Sequence, residues 1–243
     1  NVKWTLGCGF EGRVSPFGGN AKLSWKVEWP TKWKVLGVQV EGAGKDHSTR
    51  GGARDVANNI SREVFNYEPP FDIPYEFFLV GGKKMSSSKG RGSSAREIAD
   101  LVPPKIFRLA LLGKDPNQAV NFDPEGDTIP VLYDQYDKLA ENYWSGTKDD
   151  YARLFEFIHP RKVKSDFALS EVGLHFLPEK SSLSRFSQVA FIVQMPHLDL
   201  YKEFPDADKN ELRERAEYAK KWLAECAPEK FVFKLQEALP DIA

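Results

Sequence analysis

The passage that most limits what this chain can fold into runs from residue 35 to residue 80, where strand-like and helix-like patterns alternate around a glycine-rich loop. "VLGVQVEG" (35–42) reads as a strand ending at Gly42, and "GAGKDHSTRGG" (42–52) reads as the loop after it. Val56, Ile60 and Val64 recur every four residues, which predicts a helix over 53–65 with one apolar stripe. "YEFFLV" (75–80) is predicted to be a second short strand. Strand, loop, helix and strand in this order point to an α/β layer. Glycines at a strand end also let a ligand approach the backbone, and such ends are where α/β sheets bind ligands.

The rest of the chain reads as mainly helical, so the fold class is α/β followed by mainly α. Residues 1–24 are Gly-rich and irregular, with turn signals at Pro16 and Gly18-Gly19. Residues 93–113 predict two helices broken at Pro103-Pro104 and closed by Gly113. "AVNFD" is a short strand candidate, and 130–145, 149–159, 183–195, 208–227 and 229–238 read as helices. Domain boundaries are expected near 92 and, more weakly, near 176; there is no internal repeat.

With 243 residues, 41% hydrophobic and 28% charged, the composition is that of a soluble globular protein with a sizeable core. No apolar run approaches the ~18 residues that a membrane-spanning helix needs, and no signal-peptide pattern opens the chain. Cys8 and Cys226 make no disulfide framework, which favours a reducing, cytoplasmic setting. A net charge of −1 argues against nonspecific coating of nucleic acid but leaves room for a local basic face. Lys83, Lys84, Lys89 and Arg91 cluster within 81–91 without an acid, whereas 123–150 is predominantly acidic. Residue 1 is Asn and the only methionines are Met85 and Met195, so the expectation is a processed or excised piece of something longer.

Three stretches carry the chemistry. In "GGKKMSSSKG" (81–90), lysines and serines between glycines suit a triphosphate, whose charge migrates in the transition state. The same composition suits a solvated basic loop, and the P-loop pattern is absent. In "GAGKDHS", Asp46 can accept from a ribose or an ammonium group and His47 offers a donor and an acceptor, or His47 only caps the helix at 53. In "WKVEWPTKW" (25–33), Trp25, Trp29 and Trp33 fall every four residues. Pro30 argues against a helix through them, and an extended segment would place all three on one face. They serve as core, or one or two of them wall a pocket against an aliphatic ligand stem.

Taken in order, these stretches resemble the class I aminoacyl-tRNA synthetases, and more narrowly the class I lysyl-tRNA synthetases. "KMSSSKG" has the form of that class's second signature loop, commonly K-M-S-K-S. "KLSWKVEWPTKW", "EGAGKDHSTRGG", "YEFFLVGGKKMSSSKG" and "FDPEGDTIPVLYDQYDKLAENYW" are similar to the narrower family in the same order, over about residues 1–200. The resemblance implies the second half of a Rossmann-like catalytic domain (1–92), a stem-contact domain (93–175) and the start of an α-helical anticodon-binding cage (176–243). It implies ATP- and Mg2+-dependent activation of lysine to lysyl-adenylate, then transfer to tRNA(Lys). Lys84 and Lys89 would stabilise the α-phosphate and the departing pyrophosphate, with Met85, Ser86, Ser87 and Ser88 completing the ATP loop. Gly44, Asp46 and His47 would line the ATP and lysine pocket. Trp25 and His47 match lysine-contacting positions, and Glu76 is the candidate carboxylate for the substrate amine.

Two departures bear on this expectation. Nothing like the first class signature, H-I-G-H, surrounds His47, His159, His175 or His197, so half of the active site is expected to come from elsewhere, such as a separate chain. Where family members often carry a cysteine-rich metal knuckle, "WTLGCGFEG" offers only Cys8, so no structural zinc is expected. The competing expectations are a non-catalytic tRNA-binding or regulatory relative, and a synthetase for another amino acid such as arginine or glutamate.

Overall fold

The computed structural model describes residues 7–84, 95–159 and 178–233. It divides into two units, Asn1–Tyr75 and Glu76–Ala243. The first unit begins with helix α1 (Trp25–Leu36), which runs straight through Pro30. This corrects the extended reading of "WKVEWPTKW". Pro30 cannot return an N–H to the Lys26 carbonyl one turn back, a real loss in a helix interior. The helix survives because its face of Trp29 and Trp33 is bonded to the next strand, and because Pro30 itself is buried. Gly37 stops it in the left-handed region (φ 64°), its N–H bonding to the Trp33 carbonyl.

Strand β1 (Val40–Gly44) follows, then α2 (Ala53–Glu63), then β2 (Phe71–Tyr75). β1 and β2 pair in parallel from Val40↔Phe71 to Gly44↔Tyr75, so the expected α/β layer is a β–α–β crossover. The strand starts later than expected because Val35 and Leu36 complete α1. The buried face of α2 is Arg54, Ala57 and Ser61; the apolar stripe expected at Val56, Ile60 and Val64 lies off it, with Val64 69% exposed.

The second unit opens with β3 (Phe78–Val80) and β4 (Lys83–Lys84), an antiparallel hairpin. Its turn is Gly81-Gly82, both at positive φ (54° and 73°), as a two-residue turn that follows the strand twist requires. The predicted strand 75–80 is thus split, Tyr75 closing β2 and Phe78 opening β3. Helices α3 (Ala95–Leu101) and α4 (Pro104–Leu112) flank the expected proline break, and Gly113 bonds back to the Leu109 carbonyl. β5 (Val120–Phe122) pairs in parallel with β3. Then come α5 (Thr128–Trp144), α6 (Asp150–Ile158), α7 (Phe186–Ile192), the short α8 (Leu200–Glu203) and α9 (Lys209–Glu225). A 3-10 turn, Glu229–Phe231, occupies the start of the helix expected at 229–238, whose last residues lie outside the described ones. Among the described residues, no helix is long and apolar enough to cross a membrane.

The core of this unit gathers Ile106, Phe122, Tyr133, Phe155, Phe186 and Trp222. Threaded through it is an ion network. Arg215 on α9, with no exposed surface, donates to Asp137 on α5 (Nη1, 3.0 Å), to Glu211 (Nε, 3.1 Å) and to the Ser184 carbonyl (2.7 Å). Lys105 on α4 reaches Glu211 and Glu214, each at 2.6 Å. Burial alone would raise the Glu211 carboxyl, but Lys105 and Arg215 outweigh it and hold it below its ordinary value. Asp137 moves the other way, because burial raises its carboxyl by more than Arg215 lowers it.

Two outcomes follow for stability. Arg215→Ala leaves Asp137 buried without its cation and Glu211 with Lys105 alone, and should lower the unfolding free energy by about 3–5 kcal/mol in urea titration. The depressed Glu211 carboxyl contributes stability that is complete above its ordinary value of 4.5 and vanishes as pH falls through the lower folded value. The melting temperature of the parent chain should therefore fall more steeply with acid below 4.5 than that of Glu211→Gln.

Candidate active site

In the first unit, β1 ends at Gly44 and the chain turns immediately. Lys45 N–H bonds to the Tyr75 carbonyl (2.9 Å) and His47 N–H to the Gly44 carbonyl (2.9 Å). The His47 carbonyl then accepts from Arg54 N–H at the start of α2 (3.0 Å). The backbone of His47 thus caps the helix while its ring is left for other contacts. A Cβ at Gly44 would meet nothing within 4 Å, so the backbone at the strand end is open on that side. At Gly52 the opposite holds: a Cβ would sit 2.6 Å from the Thr49 carbonyl and 2.7 Å from that of His47.

The His47 ring stands edge-on to Trp25 (centroids 5.2 Å, 70° between planes) and to Trp29 (6.0 Å, 74°). Trp25 stacks on Trp29 at 5.0 Å, and Trp29 leans on Trp33 at 5.3 Å. Exposure grades along this row, from fully buried Trp33 to Trp25 at 45%. The structure thus brings Trp25 and His47 together, beside the loop that carries Gly44 and Asp46. Trp25 ends the row as a half-open aromatic face.

What holds this row in place was not among the residues singled out from the sequence. Glu41 on β1 accepts from Trp29 Nε1 (3.0 Å), Trp33 Nε1 (2.7 Å) and Arg54 Nη1 (3.1 Å). Arg54 also donates to the Pro70 carbonyl (2.6 Å), and its guanidinium lies over Trp33 (4.5 Å) and Trp29 (5.5 Å). The only sequence signal was an acid inside a strand facing a helix.

In the second unit, Glu76 is half-buried and its N–H bonds to the Pro116 carbonyl (2.8 Å). Lys84 is exposed, with its ammonium 3.5 Å from the centre of the Phe77 ring. Met85, Ser86, Ser87, Ser88 and Lys89 lie outside the described residues. This unit also has a groove of about 1020 Å³ between α4, β5, α5 and α6, lined by Leu109, Val120, Thr128, Gln135, Lys138 and Leu154 among others. None of the candidate catalytic, ATP-binding or lysine-binding residues lines it.

Comparison with known proteins agrees with the signature stretches. Residues 1–161 match the family model described as tRNA synthetases class I (K).

The chain belongs to the class I (K) tRNA synthetases.

A lysine--tRNA ligase of Methanosarcina barkeri (strain Fusaro) is 32% identical over 245 aligned residues, covering 98% of this chain and 43% of the relative. That of Thermoplasma volcanium is 31% identical over 240 residues, covering 96% and 45%. A shorter match to the enzyme of Methanocaldococcus jannaschii is 40% identical over 147 residues, 59% of this chain and 27% of the relative. This class I (K) chain therefore spans less than half the length of these curated relatives.

The Gly52 contact gives a direct check on the loop. Gly52→Ala forces a Cβ into two backbone carbonyls and should destabilise the first unit by about 1–3 kcal/mol. The loss should appear in denaturant unfolding followed by tryptophan fluorescence, since the tryptophan row lies beside that loop.

Proposed function

We propose that this chain takes part in ATP-dependent activation of lysine and its transfer to tRNA(Lys), supplying the signature-loop side of the active site. The observation that carries this reading is the aromatic corner of Trp25 and His47 beside the open backbone at Gly44. The four methylenes of a lysine side chain pack well along an indole face, and its ammonium is attracted to aromatic rings. The family match and the names of the relatives supply the reaction.

In that reaction a carboxylate oxygen of lysine attacks the α-phosphorus of ATP, forming lysyl-adenylate and displacing pyrophosphate. A ribose hydroxyl at the 3′ end of the tRNA then attacks the adenylate carbonyl and releases AMP. Mg2+ enters with ATP as its counter-ion. Negative charge shifts toward the leaving pyrophosphate, and cations placed along that path stabilise the transition state more than the ground state. Lys84 and Lys89 are assigned that role. Lys84 would exchange its place over Phe77 for a phosphate oxygen, giving up a contact of only about 0.5–1 kcal/mol. Met85, Ser86, Ser87 and Ser88 complete the loop; Gly44, Asp46 and His47 line the nucleotide and lysine pocket; Glu76 meets the substrate amine.

In this proposal residues 1–92 belong to the Rossmann-like catalytic domain, 93–175 to a stem-contact domain and 176–243 to a helical anticodon-binding region. The first class signature would come from another polypeptide segment. Lysine-dependent exchange of labelled pyrophosphate into ATP tests the reading. The chain alone should be inactive, and adding a polypeptide with the missing signature should restore exchange. Lys84→Ala with Lys89→Ala should then cut the restored rate by at least about 100-fold. Undiminished exchange in the double variant would remove the loop from the chemistry. Tight tRNA binding without exchange under any complementation would favour a non-catalytic relative, and exchange driven by arginine or glutamate would reassign the substrate.

A further inference from the structure

We propose that Glu41 is a positioning residue for the lysine pocket, acting through Trp29 and Trp33 on the ring that meets the substrate. This rests on the reading of Trp25 and His47 as the lysine-binding corner. Trp25 makes its stacking contact with Trp29, and Trp29 is fixed by one polar bond, from Nε1 to Glu41 Oε1 at 3.0 Å. The second oxygen of the same carboxylate takes Trp33 Nε1 at 2.7 Å and Arg54 Nη1 at 3.1 Å. One carboxylate thereby sets the rotation of two consecutive indoles on the same helix face.

Apolar packing alone would not do this. An indole plane against a flat apolar surface can slide and rotate at little cost, whereas hydrogen bonds to an ionised acceptor are directional and strong. Arg54 keeps Glu41 in place in turn: it is 3% exposed, pinned to the Pro70 carbonyl, and lies over both indoles. The chain of constraint runs from Arg54 to Glu41, then to Trp29, then to Trp25 and the edge of His47. A neutral amide at position 41 offers only one acceptor oxygen for three donors, so at least one indole loses its anchor.

The full chain is titrated with L-lysine while tryptophan fluorescence is read, and the exciton band of the stacked Trp25–Trp29 pair is followed by circular dichroism well below the melting temperature. Trp25→Ala tests the pocket; Glu41→Gln and Trp29→Phe test the positioning. Trp29→Phe leaves the Glu41–Arg54 pair intact and serves even where Glu41→Gln does not fold. The expected result is loss of lysine binding in Trp25→Ala and binding weakened at least about tenfold in both other variants, the size of one charge-assisted hydrogen bond. Glu41→Gln should also lose the exciton band while its helical signal persists, which a purely stabilising residue would not do.

If Trp25→Ala loses lysine while both other variants bind within twofold of the parent, the positioning role is overturned and the pocket reading stands. If lysine binds regardless of Trp25, or not at all, the pocket reading fails. The exciton band then decides alone: retained in Glu41→Gln, it overturns the proposal; lost, it supports Glu41 as the residue that orients the row.

Discussion

The carboxylate of Glu41 is the point through which the first unit is tied together. It lies on β1, takes two indole N–H groups from α1, and pairs with a guanidinium from α2 whose other bond reaches the Pro70 carbonyl just before β2. Three elements meet at one carboxylate, and Arg54 extends the tie to β2 through its ion pair with Asp72 at 3.4 Å. A buried ion pair is not stabilising by default, because taking both charges out of water costs several kcal/mol per ion. Here the arginine is almost wholly buried and the glutamate about a quarter exposed, and three donors share its two oxygens. Good geometry and several bonds are the conditions under which such a pair offsets its desolvation. Its existence also accounts for two oddities of the unit. A helix passes through proline because its indoles are anchored outside it, and α2 buries an arginine where apolar periodicity pointed elsewhere.

The second unit uses the same device in a different setting. Arg215 is enclosed by the large apolar core and tied to Asp137, Glu211 and the Ser184 carbonyl, with Lys105 joining from α4. Three helices and the segment before α7 are thereby set in one arrangement. Tyr133, stacked on Phe186 at 4.2 Å, lies beside this network, and its hydroxyl is kept protonated chiefly by burial. An apolar core alone tolerates sliding of one helix on another; a guanidinium with fixed donors does not.

Much of this architecture could be read from the residues, and the failures have specific causes. The helices from 95 to 112 were legible because prolines and Gly113 mark their ends, and in the structure Asp149 and Asp208 cap the later helices α6 and α9. The segment from 25 to 33 was misread because local propensity penalises Pro30, while the anchoring that overrides it comes from Glu41 in the next element. β2 escaped notice because its Pro74 and the prolines before it look like loop. In the site, Trp25 and His47 were singled out by resemblance to lysine-contacting positions, and the structure sets their rings 5.2 Å apart. Glu41 and Arg54 were not, since their role exists only once α1, β1 and α2 pack. The groove beside α5 was equally invisible, because it is formed by side chains far apart in sequence.

The glycine turn between β3 and β4 has a consequence for the two lysines that open the signature stretch. With Val80 opposite Lys83 and Leu79 opposite Lys84, their side chains leave opposite faces of the ribbon. Lys84 falls on the side of Phe77, and Lys83 on the other. Adjacent in sequence and identical in charge, the two are therefore not interchangeable: parity decides which one can serve which face. A single residue gained or lost in the turn would swap them while leaving composition, charge and motif spelling almost unchanged.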